Sequence, residues 1–185
     1  MSKPGSGGDA GVNDGLKNGS DLAGKGVSPS AGNAEKGPVR GSSPKSPSSR
    51  SKARRFALQA LYQIQLSGCS AAAAEQQFLD DHDMKRVDVE YFHSVLAGTS
   101  EHRDELVSLI TPTLDRPFKE LDPVEKAILY IGSFELLYRI DVPYRVVINE
   151  AIELARQFGA TESHKYVNSI LDRLARAHRP HEQGR

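Results

Sequence analysis

The chain has 185 residues with 24 basic and 24 acidic side chains, so its formal charge is zero and it lacks the overall positive charge of a non-specific nucleic-acid coat. The length suits one ordinary domain. Its single cysteine, Cys69, excludes an internal disulfide framework and a multi-thiol zinc site, and neither a long apolar span nor a secretory leader pattern occurs, which together point to a cytoplasmic protein.

Residues 1–50 hold eleven of the sixteen glycines, ten serines and five of the ten prolines, with no aromatic residue. Such a segment cannot bury enough apolar area to offset the entropy of ordering its backbone. It reads as a disordered tail, with residues 51–185 as the folded domain. The tail carries seven basic and four acidic residues, so it is mildly positive and the domain mildly negative. Its Pro44-Lys45-Ser46-Pro47 matches a proline-ligand pattern that Ser/Pro/Gly linkers also produce by chance.

From Ser51 the apolar spacing becomes helical and no sustained two-residue alternation occurs, so the domain is expected to be all-α. A first helix over Ser51 to Leu66 puts Ala53, Ala57, Ala60, Leu61 and Ile64 on one face, and Gly68 closes it. A short helix around Ala72 to Leu79 follows. Asp88 then caps a longer one whose face is Phe92, Val95, Leu96, Thr99, Leu106 and Ile110, with Pro112 near its end. His102 and Arg103 interrupt that face, as expected of a helix that changes neighbours along its length.

Asp122, Pro123 and Glu125 make the clearest start signal, an acceptor followed by a proline and a capping-box acid. The helix begins at Asp122 or Pro123. From Val124 to Leu137 the apolar residues surround it, which predicts the buried centre of the domain, and Gly132 allows close helix approach. After Pro143 an amphipathic helix carries Val147, Ile148, Ala151, Ile152, Leu154, Ala155 and Phe158 inward and ends at Gly159. Thr161 or Ser163 caps the last helix, whose core side is Val167, Ile170, Leu171 and Leu174.

Catalytic patterns such as HExxH, GxxxxGK[ST] and G-x-S-x-G do not occur. The run Asp80, Asp81, His82, Asp83 lacks the ligand spacing of a calcium loop. No enzymatic activity, metal or cofactor is expected.

Two surfaces stand out instead. On the first helix, Arg55, Gln59, Tyr62 and Leu66 form an outward stripe that is either a partner-binding patch or a strip covered by a neighbouring helix. Before it, Arg50, Lys52, Arg54 and Arg55 place positive charge at a helix start, where it opposes the macrodipole. That conflict suggests phosphate binding, with a solvated charge run as the plainer alternative. On the last helix, Lys165, Ser169, Arg173 and Arg176 form a basic ridge beside Tyr166. Such cation and aromatic pairing suits single-stranded RNA, and an ordinary core-edge tyrosine is equally open.

The segments Val142-Pro143-Tyr144, Ile148-Asn149-Glu150-Ala151-Ile152-Glu153-Leu154-Ala155, Phe158-Gly159 and His164-Lys165-Tyr166-Val167-Asn168 resemble the signature of the NusB family. Ala53-Arg54-Arg55, Gln59-Ala60-Leu61-Tyr62, Asp88-Val89-Glu90-Tyr91-Phe92, Leu96-Ala97-Gly98 and Val124-Glu125-Lys126-Ala127 extend the resemblance over residues 52–178. The resemblance implies about seven helices in two small packed bundles, and a transcription antitermination factor. It implies binding of boxA RNA in nascent ribosomal RNA transcripts with NusE, a small-subunit ribosomal protein. Other Nus factors and RNA polymerase would be reached indirectly. By matching position, Arg54, Arg55 and Lys165 would contact RNA, with Lys52 beside them. Tyr62, Glu125 and Tyr166 would contact NusE, with Leu66 continuing the stripe.

The sequence departs from the usual pattern with Tyr166 in place of Phe and Ser169 in place of Gly. Its first-helix basic run is short, so Arg50 and Lys45 would supplement it, while Glu162 would repel a nearby phosphate. Two rival readings share these residues. An RNA-binding appendage of a cytosine RNA methyltransferase is disfavoured by the lack of room for a methyl-donor domain. A protein-only scaffold would use Tyr62 and Tyr166 without touching RNA.

Overall fold

The computed structural model describes residues 46–182, which fold into helices and short 3-10 turns. The helices are α1 (Pro47–Ser67), α2 (Ala71–Asp81), α3 (Val89–Glu101), α4 (Arg103–Ile110), α5 (Pro123–Tyr138), α6 (Tyr144–Phe158) and α7 (Ser163–His178). No strand occurs among the described residues. Of the tail expected over residues 1–50, residues 1–45, including Lys45 as an auxiliary cation, lie outside them.

The tail boundary at residue 50 needs correction, because α1 begins at Pro47. Proline suits a first helical position, since its φ is already helical and no donor is needed there. Ser49 Oγ donates to Ser46 O at 2.7 Å, and the Asp88 amide donates to Ser49 O at 3.2 Å, which ties this turn to the start of α3. Composition alone counts Pro47-Ser48-Ser49 as linker. Their position after a serine and before a helical pattern makes them a helix start.

The other ends follow local chemistry. Gly68 closes α1 at φ 72°, a left-handed conformation that glycine adopts at little cost. Asp88 accepts from the Tyr91 amide, and Asp122 accepts from the Val124 amide at 2.8 Å with Pro123 at the first position of α5. Gly159 ends α6 in an ordinary negative-φ conformation. What it supplies is room, since a Cβ there would lie 2.7 Å from Ala155 O. Neither Thr161 nor Ser163 caps α7. Glu162 holds that position at φ 72° without a side-chain capping bond, and Ser163 is the first helical residue.

The single helix expected between Asp88 and Ile110 is two helices, broken at His102. All six expected face residues are buried, four on α3 and two on α4. The break lets α3 pack on α1, α2 and α5 while α4 turns to α5 and α7. Two bundles result. α1, α2 and α3 form one, α4, α6 and α7 surround α5 in the other, and α5 also packs on α1 and α3. Every residue of α5 from Ala127 to Leu136 is buried. A Cβ on Gly132 would lie 2.7 Å from Leu171 Cδ1, so the missing side chain allows α7 its close approach.

One residue of that central helix is an acid. Glu135 is 1% exposed, and its two carboxylate oxygens share a bifurcated bond from Arg54 Nε–H, at 2.8 and 3.1 Å. Arg54 Nη2 donates to Tyr91 Oη at 2.7 Å, Tyr91 Oη donates to Glu135 at 2.6 Å, and Arg54 Nη1 pairs with Glu150 at 3.2 Å. The network joins α1, α3, α5 and α6. Burial by itself lowers the Arg54 pKa, and Glu135, Tyr91 and Glu150 together more than reverse this, so the guanidinium stays charged. Burial, followed by the Glu135 carboxylate, pushes the Tyr91 phenol up and keeps it a donor. At the far end of α5, buried Arg179 donates to the carbonyls of Glu135, Leu136, Arg139 and Val142.

Removing one partner of a buried pair leaves an uncompensated charge, so Glu135→Ala should lower the unfolding free energy by about 3–5 kcal/mol. Tyr91→Phe, which deletes one buried hydroxyl, should cost roughly 1–3 kcal/mol. Urea unfolding followed by circular dichroism measures both, and a Glu135→Ala loss no larger than that of Tyr91→Phe would contradict the buried pair.

Candidate RNA and partner interface

The four cations at the start of α1 do not act alike, because successive residues of a helix point about 100° apart. Arg54 is 2% exposed and fully engaged inside the protein. Its expected role as an RNA contact is therefore corrected to a structural one. The expected core stripe stops short of this side, and Leu58, one turn beyond Arg54, is buried as well. Arg50 is also engaged. It pairs with Asp141 at 3.2 Å and Asp88 at 3.6 Å and lies over the Tyr91 ring at 4.8 Å, so it is poorly placed to supplement the basic run.

Lys52 and Arg55 remain on the surface side of α1. Together they line a groove of about 140 Å³ that also holds Glu150 and Glu153 of α6. Ser51 Oγ donates to Glu150 at 2.8 Å in the same place. The groove has two cations and two carboxylates, so its charge is nearly balanced. Lys165 is exposed on the first turn of α7 and ion-paired with Glu162. That pairing holds the Glu162 carboxyl below its ordinary range. The basic ridge of α7 is exposed as expected, although Arg176 pairs with Asp172 and Arg173 donates to Thr113 O at 2.8 Å.

The second half of α1 is different. Tyr62 is 39% and Leu66 64% exposed, so no neighbouring helix among the described residues covers the stripe. Gln65, which precedes Leu66, donates to Pro123 O at 3.0 Å and brings the end of α1 to the start of α5. There Glu125 accepts from Ser163 Oγ at 2.7 Å, which joins α5 to the start of α7. The capping-box acid thus makes a tertiary contact. Tyr166 follows one turn along α7, half-buried, with its hydroxyl donating to Asp115 at 2.9 Å and the Arg116 guanidinium 4.8 Å from its ring centre. Burial and the Asp115 carboxylate raise the Tyr166 pKa. Tyr62, Leu66, Glu125 and Tyr166 therefore belong to three helix ends linked by hydrogen bonds.

Sequence reasoning missed Asp115 and Arg116, which lie in an irregular connection with no periodicity to read. It also missed the meaning of Glu135. A lone acid in the middle of an all-apolar helix requires a buried cation, and that requirement points to an arginine on a facing helix.

Among the described residues no helix is long and apolar enough to cross a membrane, and no group of three or more His, Cys, Asp or Glu side chains is placed to hold a metal ion. His82 instead stacks on Phe78 with ring centres 4.9 Å apart.

The NusB family model matches residues 51–176. The transcription antitermination protein NusB of Alcanivorax borkumensis is 58% identical over 133 residues, which is 72% of this chain and 89% of that protein. The protein of the same name from Shewanella halifaxensis is 53% identical over 133 residues, 72% of this chain and 98% of its own length. Among solved structures, T. maritima NusB superposes with a TM-score of 0.65 at 31% identity, covering 75% of this chain and 96% of its own. A structure of the antitermination factors NusB and NusE in complex with double-stranded RNA has a TM-score of 0.64 at 24% identity, covering 69% of this chain and 96% of that one; it supports the fold. A match that runs from the second turn of α1 nearly to the end of α7 takes in both bundles and both candidate surfaces, and this chain belongs to the NusB family.

Proposed function

We propose that the chain is a cytoplasmic, non-enzymatic transcription antitermination factor that binds boxA RNA of nascent ribosomal RNA transcripts together with NusE and thereby helps modify elongating RNA polymerase. The observation that carries this reading is the division of α1. Its first half presents Lys52 and Arg55, and its second half presents the uncovered Tyr62 and Leu66. One helix thus offers two surface cations to RNA, in a groove they share with Glu150 and Glu153, and an apolar site to a protein further along. A neutral chain needs such a local arrangement, since its overall charge attracts no polyanion. The family's named relatives and the solved assembly of NusB, NusE and RNA support both partners.

Lys52, Arg55 and Lys165 are the proposed RNA contacts. Tyr62, Leu66, Glu125 and Tyr166 are the proposed NusE contacts, with Asp115 and Arg116 holding the Tyr166 ring in position. An aromatic anchor beside an aliphatic one, at a site that loses water on binding, is the usual composition of a strong interface centre. The protein-only scaffold accounts for Tyr62 and Leu66 but leaves the surface cations without a role.

The reading is tested by titrating a labelled boxA-like RNA and a scrambled RNA of equal length at two salt concentrations, with and without NusE. A boxA preference that sharpens with NusE supports it. A stable NusE complex with no RNA isotherm would favour the scaffold. Lys52→Glu with Arg55→Glu should weaken RNA binding on the order of tenfold and flatten its salt dependence, at unchanged thermal stability. Arg54→Glu, by contrast, places an acid among Glu135 and Glu150, so its melting temperature should fall well before any binding comparison has meaning.

Glu162→Gln releases Lys165 from its ion pair and removes a charge that repels phosphate, so RNA should bind a few-fold more tightly at matched salt. Equal or weaker binding would count against Lys165 as a contact. Leu66→Ala with Tyr62→Ala should reduce NusE affinity at least tenfold, a typical cost for truncating interface anchors, and leave binding of RNA alone unchanged. Calorimetry with purified NusE measures the first effect and the RNA titration the second.

A further inference from the structure

The sequence groups the cations of α1 by adjacency, whereas the fold groups them by face. Of the four, Arg54 and Arg50 are spent on internal carboxylates, and Lys52 and Arg55 share their groove with Glu150 and Glu153. On the other side of Lys52 lies a larger groove, about 490 Å³, whose lining contains no carboxylate. Its polar lining comprises Ser46, Ser48, Ser49 and Lys52 of the α1 region with Lys85 and Arg86 from the turn between α2 and α3.

Lys85 and Arg86 stand more than thirty residues beyond Lys52 in the chain and belong to no motif read from the sequence. Both are exposed. Their turn is firmly placed by tertiary bonds. The Asp88 amide donates to Ser49 O at 3.2 Å, Arg50 pairs with Asp88, and the Lys85 amide donates to Asp83 Oδ1 at 3.0 Å. Of the acids flanking this turn, Asp88 is held by Arg50 and the Tyr91 amide and Asp83 by the backbone of its own turn, while the exposed Asp81 and Glu90 lie outside the groove lining. Three cations line an open channel beside Ser46, Ser48 and Ser49, whose hydroxyls bond within their own turn, and the channel is too polar for an apolar ligand and too wide for a single small anion.

We propose that this groove, through Lys85, Arg86 and Lys52, is a second binding track for the RNA phosphodiester backbone, continuous through Lys52 with the contacts at Arg55. The proposal rests on the RNA-binding reading above and names where the strand runs beyond α1. Cations of this kind, without base-edge donors in fixed geometry, position a strand and do not read its sequence. The track therefore adds affinity and salt dependence and leaves the preference for one sequence over another unchanged.

The test uses the full chain carrying Lys85→Gln with Arg86→Gln, and separately Lys85→Glu with Arg86→Glu. Binding of a boxA-like RNA and a scrambled RNA is measured across a salt series, with thermal unfolding as the control for folding. Two lost phosphate contacts on a single strand should reduce the slope of log affinity against log salt by about 1.4, which corresponds to a loss on the order of tenfold near 0.1 M salt. The loss should be the same for both RNAs, so that their ratio is preserved. Unchanged affinity and slope in both variants, with the parent chain binding normally, would overturn the track and leave the RNA-binding function standing. A change in the boxA-to-scrambled ratio would overturn the backbone assignment in favour of base contact. Failure of the parent chain to bind either RNA would instead remove the RNA-binding reading, and the track with it.

Discussion

An arginine on an alanine-rich helix face has to meet its counter-charge inside the protein, and the arrangement of both bundles depends on how Arg54 does so. Its guanidinium reaches Glu135 of α5, Tyr91 of α3 and Glu150 of α6 from a single position on α1. Hydrophobic contact between helices is tolerant of small rotations, since one methyl group can replace another. A charged hydrogen bond to a buried carboxylate is not, because rotating α1 would leave a charge unpaired in a medium that solvates it poorly. The network therefore sets the rotation of α1 about its own axis. That rotation decides which residues of α1 face outward.

The consequence for the surface is direct. With Arg54 turned in, Arg55 and Lys52 face α6 and solvent, and Tyr62 and Leu66 are left uncovered further along. The same constraint sorts charges that look equivalent in the chain. Arg50 is drawn to Asp88 and Asp141 beside the Tyr91 ring, where Arg139 also stacks at 4.5 Å. Because α1 begins at Pro47, only Arg50 lies in its first turn, where positive charge opposes the helix dipole, and of the four cations Arg50 and Arg54 are both held by tertiary ion pairs. Only the remaining two are available to a ligand.

The candidate partner face has another origin. It is assembled from helix ends, where backbone and side-chain groups must find partners outside their own helix. Gln65 meeting Pro123 O, and Ser163 meeting Glu125, are such contacts, and they bring residues from α1, α5 and α7 into one neighbourhood. Glu162 adds to this at the start of α7, with a left-handed backbone that a side chain adopts at a cost of about 1–3 kcal/mol. Its carboxylate holds Lys165, so the first turn of α7 presents a neutralised pair in the free protein.

Much of this protein was legible in one dimension. Apolar spacing, Asp88 and Asp122 as caps, Gly68 as a terminator, the all-round burial of α5 and the close approach at Gly132 are local properties or follow from helical periodicity, and each appears in the structure. The outward stripe of Tyr62 and Leu66 follows from the same 100° step. What periodicity could not decide was which charges are surface charges. Arg54 and Arg55 are neighbours of the same type, and only the position of Glu135 on another helix makes one structural and leaves the other open to solvent. The break at His102 and the convergence of Lys85 and Arg86 on Lys52 have the same cause. Each is settled by contacts between residues far apart in the chain, so it exists only once the helices have packed.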